Sequence, residues 1–320
     1  SAAFFVVGGL GRGAEVRGPP ATSRDAVLSE HHHLAEIRFA FPRNPLGIVP
    51  EIATERDTAM LSVISPAKNL NFDPVGVPAT EPAFSADAVL LARAAGRLSK
   101  ARLKAMMELS DSLTDLNYQR FKAFDDAPEP GRVKPAALAF NGDTYQGLAF
   151  SALTPADMDY AQAHLRILSG LYGVLRPLDG TQPYRLEMGR RLRTRRGEML
   201  YDFWRDRIAR TLDAQAAAIG ASHVVNLASI EYFTAAREQA MKTPVIHPVF
   251  KEDRGGALKI ISFNAKRARG AMARYLIESR AEGPQDLLSF DRDGYAYRPD
   301  LSTPQVPVFV RSEAVTLAAE

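Results

Sequence analysis

From residue 60 onward the apolar positions of the chain switch between two periods. Met60-Leu61-Ser62-Val63-Ile64-Ser65 is a short apolar run stopped by Pro66, which predicts a buried strand with Lys68 on the turn after it. A Pro-rich loop covers 69–85. Ser85 then predicts the start of a helix carrying Val89, Leu90, Leu91 and Ala94. Ser99 starts a second (Leu103, Met106, Met107), and Ser110 or Asp111 a third (Leu113, Leu116, Phe121, Phe124). Pro128 to Pro135 leads into Ala136–Phe140, read as a short strand. Phe140 to Leu148 reads as a Gly-Asp turn between strands, or as a carboxylate and a phenol, Asp143 and Tyr145, presented at a cleft mouth. Thr154-Pro155-Ala156-Asp157 is a helix start, with Thr as N-cap and Pro at the first helical position. That helix is predicted to run into His164–Met188, where Leu165, Leu168 and Leu171 recur at three-residue spacing until Gly170, Gly173, Pro177 and Pro183 interrupt.

Beyond it the pattern predicts a helix over about 199–218, with Tyr201, Phe203, Trp204, Ile208 and Leu212 on its apolar side. A strand comes next over His223–Ser229 and a helix opens at Ile230. Two more strands, Val245–Phe250 and Leu258–Phe263, precede a helix over Ala265–Arg280 capped by Asn264, and final strands lie near Tyr295, Tyr297 and Val306–Val310. This mixture predicts an α/β (mixed α+β) fold, a single globular domain over 60–311 with a mixed sheet flanked by helices and a frayed tail over 312–320.

Residues 1–59 sustain neither period and read as a poorly ordered extension, as sequence upstream of a natural start at Met60 would. FFVVGGLGRGA at 4–14 looks like a dinucleotide fingerprint, but Gly18-Pro19-Pro20 stops the helix whose N-terminus would hold a pyrophosphate. The apolar run Ala2–Val7 is shorter than the roughly 7–15 residues of a secretory h-region and lacks a basic lead.

Zero cysteines exclude disulfides, thiol switches and Cys-ligated metals. No apolar run approaches the roughly 18 residues that a bilayer span needs, so no membrane is expected and the cytoplasm is the expected location. Net charge is only +3, but the cations are clustered. Arg185–Arg210 holds nine arginines (185, 190, 191, 193, 195, 196, 205, 207, 210) against four acids. Lys259–Arg280 holds Lys259, Lys266, Arg267, Arg269, Arg274 and Arg280 against Glu278 alone. Each block reads either as a solvated helix face or as a surface for phosphates.

The runs SPAK (65–68), FNGDTY (140–145), LSGLYGVLRPLD (168–179), PYRLEM (183–188), NLAS-x-EYF (226–233) and KRARG (266–270) resemble, in the same order, the YaaA family of peroxide-stress proteins. The resemblance spans about Met60–Arg311. It implies a cytosolic protein tied to hydrogen peroxide resistance through limiting unincorporated iron, with a single-domain α/β fold and a positively charged cleft. It also implies binding of duplex and branched DNA through a helix–hairpin–helix-like element. Here that element would fall on Leu168–Gly173, which makes Ser169, Gly170, Tyr172 and Gly173 expected backbone contacts to phosphate.

Two functions compete. In the first, Lys68, Arg185, Lys266, Arg267, Arg269 and Arg274 converge on the DNA backbone, without base specificity. In the second, Lys68, Asp143, Tyr145, Arg185, Glu187, Ser229 and Glu231 form a reaction site for a small anionic or phosphorylated substrate. DNA binding is the expected reading. An open stripe of Arg and Lys would favour it, and a closed pocket holding Lys68, Asp143 and Glu187 would favour chemistry. His164, His223 and His247 have no ligand spacing, so neither a metal nor a cofactor is expected.

Overall fold

The structure, a computed structural model, describes residues 59–312. The expectations for the N-terminal extension up to residue 58 and for the tail from 313 lie outside the described residues. The main sheet has five strands: β1 (Ala59–Ile64), β2 (Leu165–Ser169), β3 (Gly173–Leu175), β4 (Ala221–Leu227) and β5 (Val245–Ile246). Their order is β3-β2-β1-β4-β5. β1 lies in the centre, parallel to both β2 (Ile64 beside Ile167) and β4 (Ile64 beside Leu227). β4 and β5 are parallel, whereas β3 returns antiparallel to β2. From β1 the chain leads to β2 on one side, and from β4 to β5 on the other. The carboxyl ends of β1 and β4 are therefore a topological switch point, where an open sheet leaves a crevice.

The helices that flank this sheet and carry its loops are α1 (Ser85–Gly96), α2 (Lys100–Met107), α3 (Asp111–Lys122), α4 (Asp143–Leu148), α5 (Pro155–His164), α6 (Arg207–Ala218) and α7 (Ser262–Ser279). Ser99, Ser110 and Thr154 cap α2, α3 and α5 as their sequences predict, each side chain accepting an N–H from the first turn. α7 packs on β1 and β4, and α6 packs on β1, β3 and β4. A second sheet, with strands 249–254, 257–259, 295–297 and 308–311, encloses an aromatic cluster of Phe250, Phe290 and Phe309.

The structure corrects several expectations. The strand expected over Leu258–Phe263 ends at Lys259, and α7 already starts at Ser262, so Asn264 lies inside the helix and does not cap it. Leu165–Ser169 is a strand, not the end of a helix. All five of its residues are buried, and an inner strand covered on both faces shows a continuous apolar run that mimics helical spacing. Ala136–Ala139 is a single helical turn, and the strand after it is only Phe140–Asn141. The turn expected beyond that strand is α4. The expected helix over 199–218 breaks at Arg205, whose φ is +46°, into Leu200–Trp204 and α6.

The LSGLYG stretch is therefore not a helix–hairpin–helix but a β-hairpin, with Ser169 opposite Gly173. Its glycines serve packing. A Cβ on Gly170 would lie 2.3 Å from the Leu186 carbonyl oxygen, and the Gly170 carbonyl accepts a hydrogen bond from Trp204 Nε1 at 3.0 Å. Gly173 has φ +69° and lies against the Trp204 ring.

Candidate functional site

A pocket of about 400 Å³ opens at the carboxyl ends of β1 and β4, on the switch point. Five segments supply its walls. The turn after β1 gives Ser65 and Lys68, the turn after β4 gives Ser229 and Glu231, the start of α4 gives Asp143, and the first turns of α7 give Lys266 and Arg269. Glu187 enters from the loop after the hairpin.

Local chemistry explains each placement. The Ser229 backbone N–H donates to Ser65 Oγ at 2.8 Å, tying together the two strand ends. The Tyr145 hydroxyl donates to the Ser65 carbonyl at 3.1 Å. Burial pushes that phenol far above its ordinary value, with Tyr184 and Tyr232 adding to the shift, so Tyr145 works as a neutral strut. Glu231 Oε1 accepts the Gly189 N–H at 2.9 Å, which pins the loop that carries Glu187. α4 and α7 cross at closest approach through two glycines. A Cβ on Gly147 would lie 2.0 Å from the Arg267 carbonyl oxygen, and one on Gly270 would lie 1.8 Å from the Thr144 carbonyl oxygen. That contact sets Asp143 on α4 and the Lys266/Arg269 face of α7 into a common wall.

The electrostatics are uneven. Glu187 is buried, and its Oε1 accepts from Arg185 Nε at 3.0 Å and Nη2 at 2.8 Å, with Lys68 Nζ 3.7 Å away. Its Oε2 is buried without a hydrogen bond, the nearest cation being Arg190 Nε at 3.8 Å. Arg269 is half-buried and has no ion-pair or hydrogen-bond partner among the described residues. Desolvation alone pushes its guanidinium below the ordinary value, and no carboxylate opposes the shift. Lys266 and Asp143 likewise have no side-chain partner among the described residues.

Of the residues singled out in the sequence, the pocket brings together Lys68, Asp143, Tyr145, Glu187, Ser229, Glu231, Lys266 and Arg269. Arg185 sits behind Glu187, against a small side cavity. Arg267 is exposed on α7, 3.8 Å from Asp293, and lies outside the pocket lining. Arg274 does not reach it either: its guanidinium donates to the Ala149 carbonyl at 2.9 Å and to Glu278 at 2.8 Å, capping the end of α4. Ser169, Gly170, Tyr172 and Gly173 are buried away from it. Ser169 Oγ accepts the Tyr172 N–H at 2.9 Å and pairs with the Tyr184 hydroxyl at 2.6 Å, so the Tyr172 amide is satisfied internally. Sequence reasoning missed Asn141 and Thr144 in the wall and the Gly147–Gly270 crossing. The small residues around Gly270, Ala268, Ala271 and Ala273, were the available signal for that close approach.

The architecture is that of an open mixed α/β sheet with a charged pocket at the switch point of its parallel strands. The chain belongs to the YaaA family: the family described as peroxide stress protein YaaA matches residues 60–301. A UPF0246 protein of Ruegeria pomeroyi is 59% identical over 252 residues, covering 79% of this chain and 98% of the relative. UPF0246 proteins of Roseobacter denitrificans (55% over 254 residues, 79% and 98% covered) and of a Jannaschia species (54% over 260 residues, 81% and 100% covered) match in the same way.

Proposed function

We propose that this peroxide-stress family member acts on a small anionic substrate held in the switch-point pocket. The observation that carries the reading is Arg269, a desolvated guanidinium without a counter-ion, in the same pocket as Lys68, Asp143 and Glu187. Keeping a cation half-buried and unpaired costs stability unless an anion completes it. Arg269 and Lys266 hold the anionic group. The free Oε2 of Glu187 is the acceptor for a substrate proton, and Lys68, 64% exposed at its side chain and beside Glu187, stands at the mouth as a donor or nucleophile. Titration calorimetry with inorganic phosphate tests the anion site. Binding that is lost in Arg269→Gln supports it, and equal heats in both proteins overturn it. A Lys68→Ala/Glu187→Ala pair that fully restores peroxide resistance to a deletion strain removes the catalytic part of the proposal.

DNA binding is the second reading. It is favoured by Arg193 and Arg195, which are exposed and have no carboxylate partner among the described residues. α2 and α3 form a helix–turn–helix pair through Glu108, but Lys100 and Lys104 there are paired with Asp115 and Asp111, at 2.6 Å each. In this reading affinity for linear and four-way-junction DNA falls steeply with salt, and Arg193→Ala/Arg195→Ala weakens it uniformly across sequences. A flat salt response removes this reading. Cytoplasmic location and control of free iron rest on the family resemblance. Among the described residues, no three His, Asp or Glu side chains are grouped so as to hold a metal ion.

A further inference from the structure

A site for an anion alone has no use for unpaired carboxylates, because each repels the ligand as it enters. Yet this pocket carries both signs, and apart from Lys68 and Glu187, 3.7 Å apart, they do not pair. Lys266 and Arg269 form no ion pair with Asp143, Glu187 or Glu231, all of which line the same space, and the shift at Arg269 has desolvation as its only cause. On the acidic side Glu187 is more than nine-tenths buried, with Oε2 lacking a hydrogen bond, and Asp143 has no side-chain partner among the described residues. Arg269, Lys266 and Asp143, set around an open space without side-chain partners, together with the free Oε2 of Glu187, match a ligand that carries the complementary charges at its two ends.

We infer that the ligand is dipolar: one small molecule whose anionic group meets Arg269 and Lys266 and whose ammonium or N–H group meets Asp143 and the free oxygen of Glu187. This deepens the anion-pocket reading and rests on it. The volume of about 400 Å³ lies at the low end of the roughly 300–1,000 Å³ range of small-molecule sites, so the ligand is a metabolite-sized amino acid or amino phosphate rather than a polymer strand. The amino end also supplies the proton donor that Glu187 Oε2 lacks.

The test is calorimetry on the whole chain with two matched sets of probes. One is phosphate, ethanolamine and phosphoethanolamine; the other is hexanoate, hexylamine and 6-aminohexanoate. In at least one set the dipolar member is expected to bind at least 10-fold more tightly than either half, and more tightly than the two halves supplied together. Asp143→Asn is expected to act with opposite signs, weakening the dipolar probe and strengthening the plain anion, a pattern that mere structural damage does not produce. Glu187→Gln serves as the second variant, with the same loss of dipolar preference. If phosphate or hexanoate binds through Arg269 but its dipolar partner binds no better, the inference fails while the anion pocket stands. If no probe of either set binds and Arg269→Gln changes nothing, the anion pocket falls with it.

Discussion

The two basic blocks look alike in sequence, yet only the second sends cations, Lys266 and Arg269, into the switch-point pocket. In the first, Arg185 reaches Glu187 at 2.8 Å, Arg190 reaches Glu108 at 3.1 Å and Arg191 reaches Glu198 at 2.8 Å. Arg196 and Arg207 share the buried carboxylate of Asp87 on α1. Their planes also lie over aromatic rings, Arg196 over Phe203 and Arg207 over Phe84. In the second block Arg274 and Arg280 are tied to Glu278 and Asp157, whereas Lys266 and Arg269 face the pocket with no partner among the described residues. Density of positive charge therefore does not locate a ligand here. What sets Arg269 apart is burial without a partner: Arg193 and Arg195 of the first block also lack a carboxylate but are exposed to water, whereas Arg269 is half-buried and the helix crossing at Gly147 and Gly270 delivers none to it.

Removing that crossing has the largest expected effect. Gly270→Ala or Gly147→Ala would gain about 1 kcal/mol from helix propensity at an exposed site. Here the new methyl meets a backbone carbonyl at 1.8 or 2.0 Å, so the helices must part. The expected outcome is a loss on the order of 3 kcal/mol or more in urea unfolding, together with loss of the preference for a dipolar probe over its plain anion as Asp143 and Arg269 separate. Stabilisation by either alanine would show the crossing to be looser than these distances require.

The anchor of the first block comes next. Burial pushes the Asp87 carboxyl up, but hydrogen bonds from Arg207 and Arg196 outweigh it and hold the group below its ordinary value. Asp87→Asn leaves two guanidinium groups without a carboxylate and is expected to cost about 2 kcal/mol at neutral pH. The sign of its pH dependence comes from the depressed value. The stabilisation is present above the unfolded-state carboxylate range, about pH 4, and is lost as pH falls through the lower folded value. Unfolding midpoints from pH 7 down to 3 should thus converge for wild type and Asp87→Asn. A gap that persists unchanged at pH 3 would assign the cost to something other than charge. Ligand binding is not expected to change, because Asp87 lies outside the pocket lining.

This contrast marks what was legible in the chain. Caps at Ser99, Ser110 and Thr154 and the strands at 60 and 223 were readable because their signals are local. So was the membership of the pocket: Lys68, Asp143, Glu187, Ser229, Glu231, Lys266 and Arg269 stand in the motifs that carry the family resemblance. Their division of labour was not readable, because it depends on partners far away in sequence. Asp87 neutralises Arg196 from 109 residues away, and the carbonyls that hold Arg274 belong to α4, 125 residues away. The glycines misled for a related reason. Gly170 and Gly173 resemble an anion cradle, but their freedom is used to admit the Leu186 carbonyl and the Trp204 ring, groups that only the tertiary fold places there.

The smallest expected effect sharpens the comparison most, because it turns on a sign. Arg196→Gln gives up a 2.6 Å ion pair with Asp87 and the stacking on Phe203, at an exposed edge, and should lower stability by about 1 kcal/mol. Arg269→Gln removes a desolvated charge that nothing compensates, so stability should stay level or rise by up to about 1 kcal/mol, while phosphate binding weakens at least 10-fold. Stability and binding then move in opposite directions at Arg269, the trade expected where a fold keeps a strained charge for a ligand. At Arg196 stability falls and phosphate binding stays put. Equal destabilisation by the two substitutions, measured side by side in urea without phosphate, would mean that Arg269 already has its partner inside the fold, and the two blocks would be of one kind.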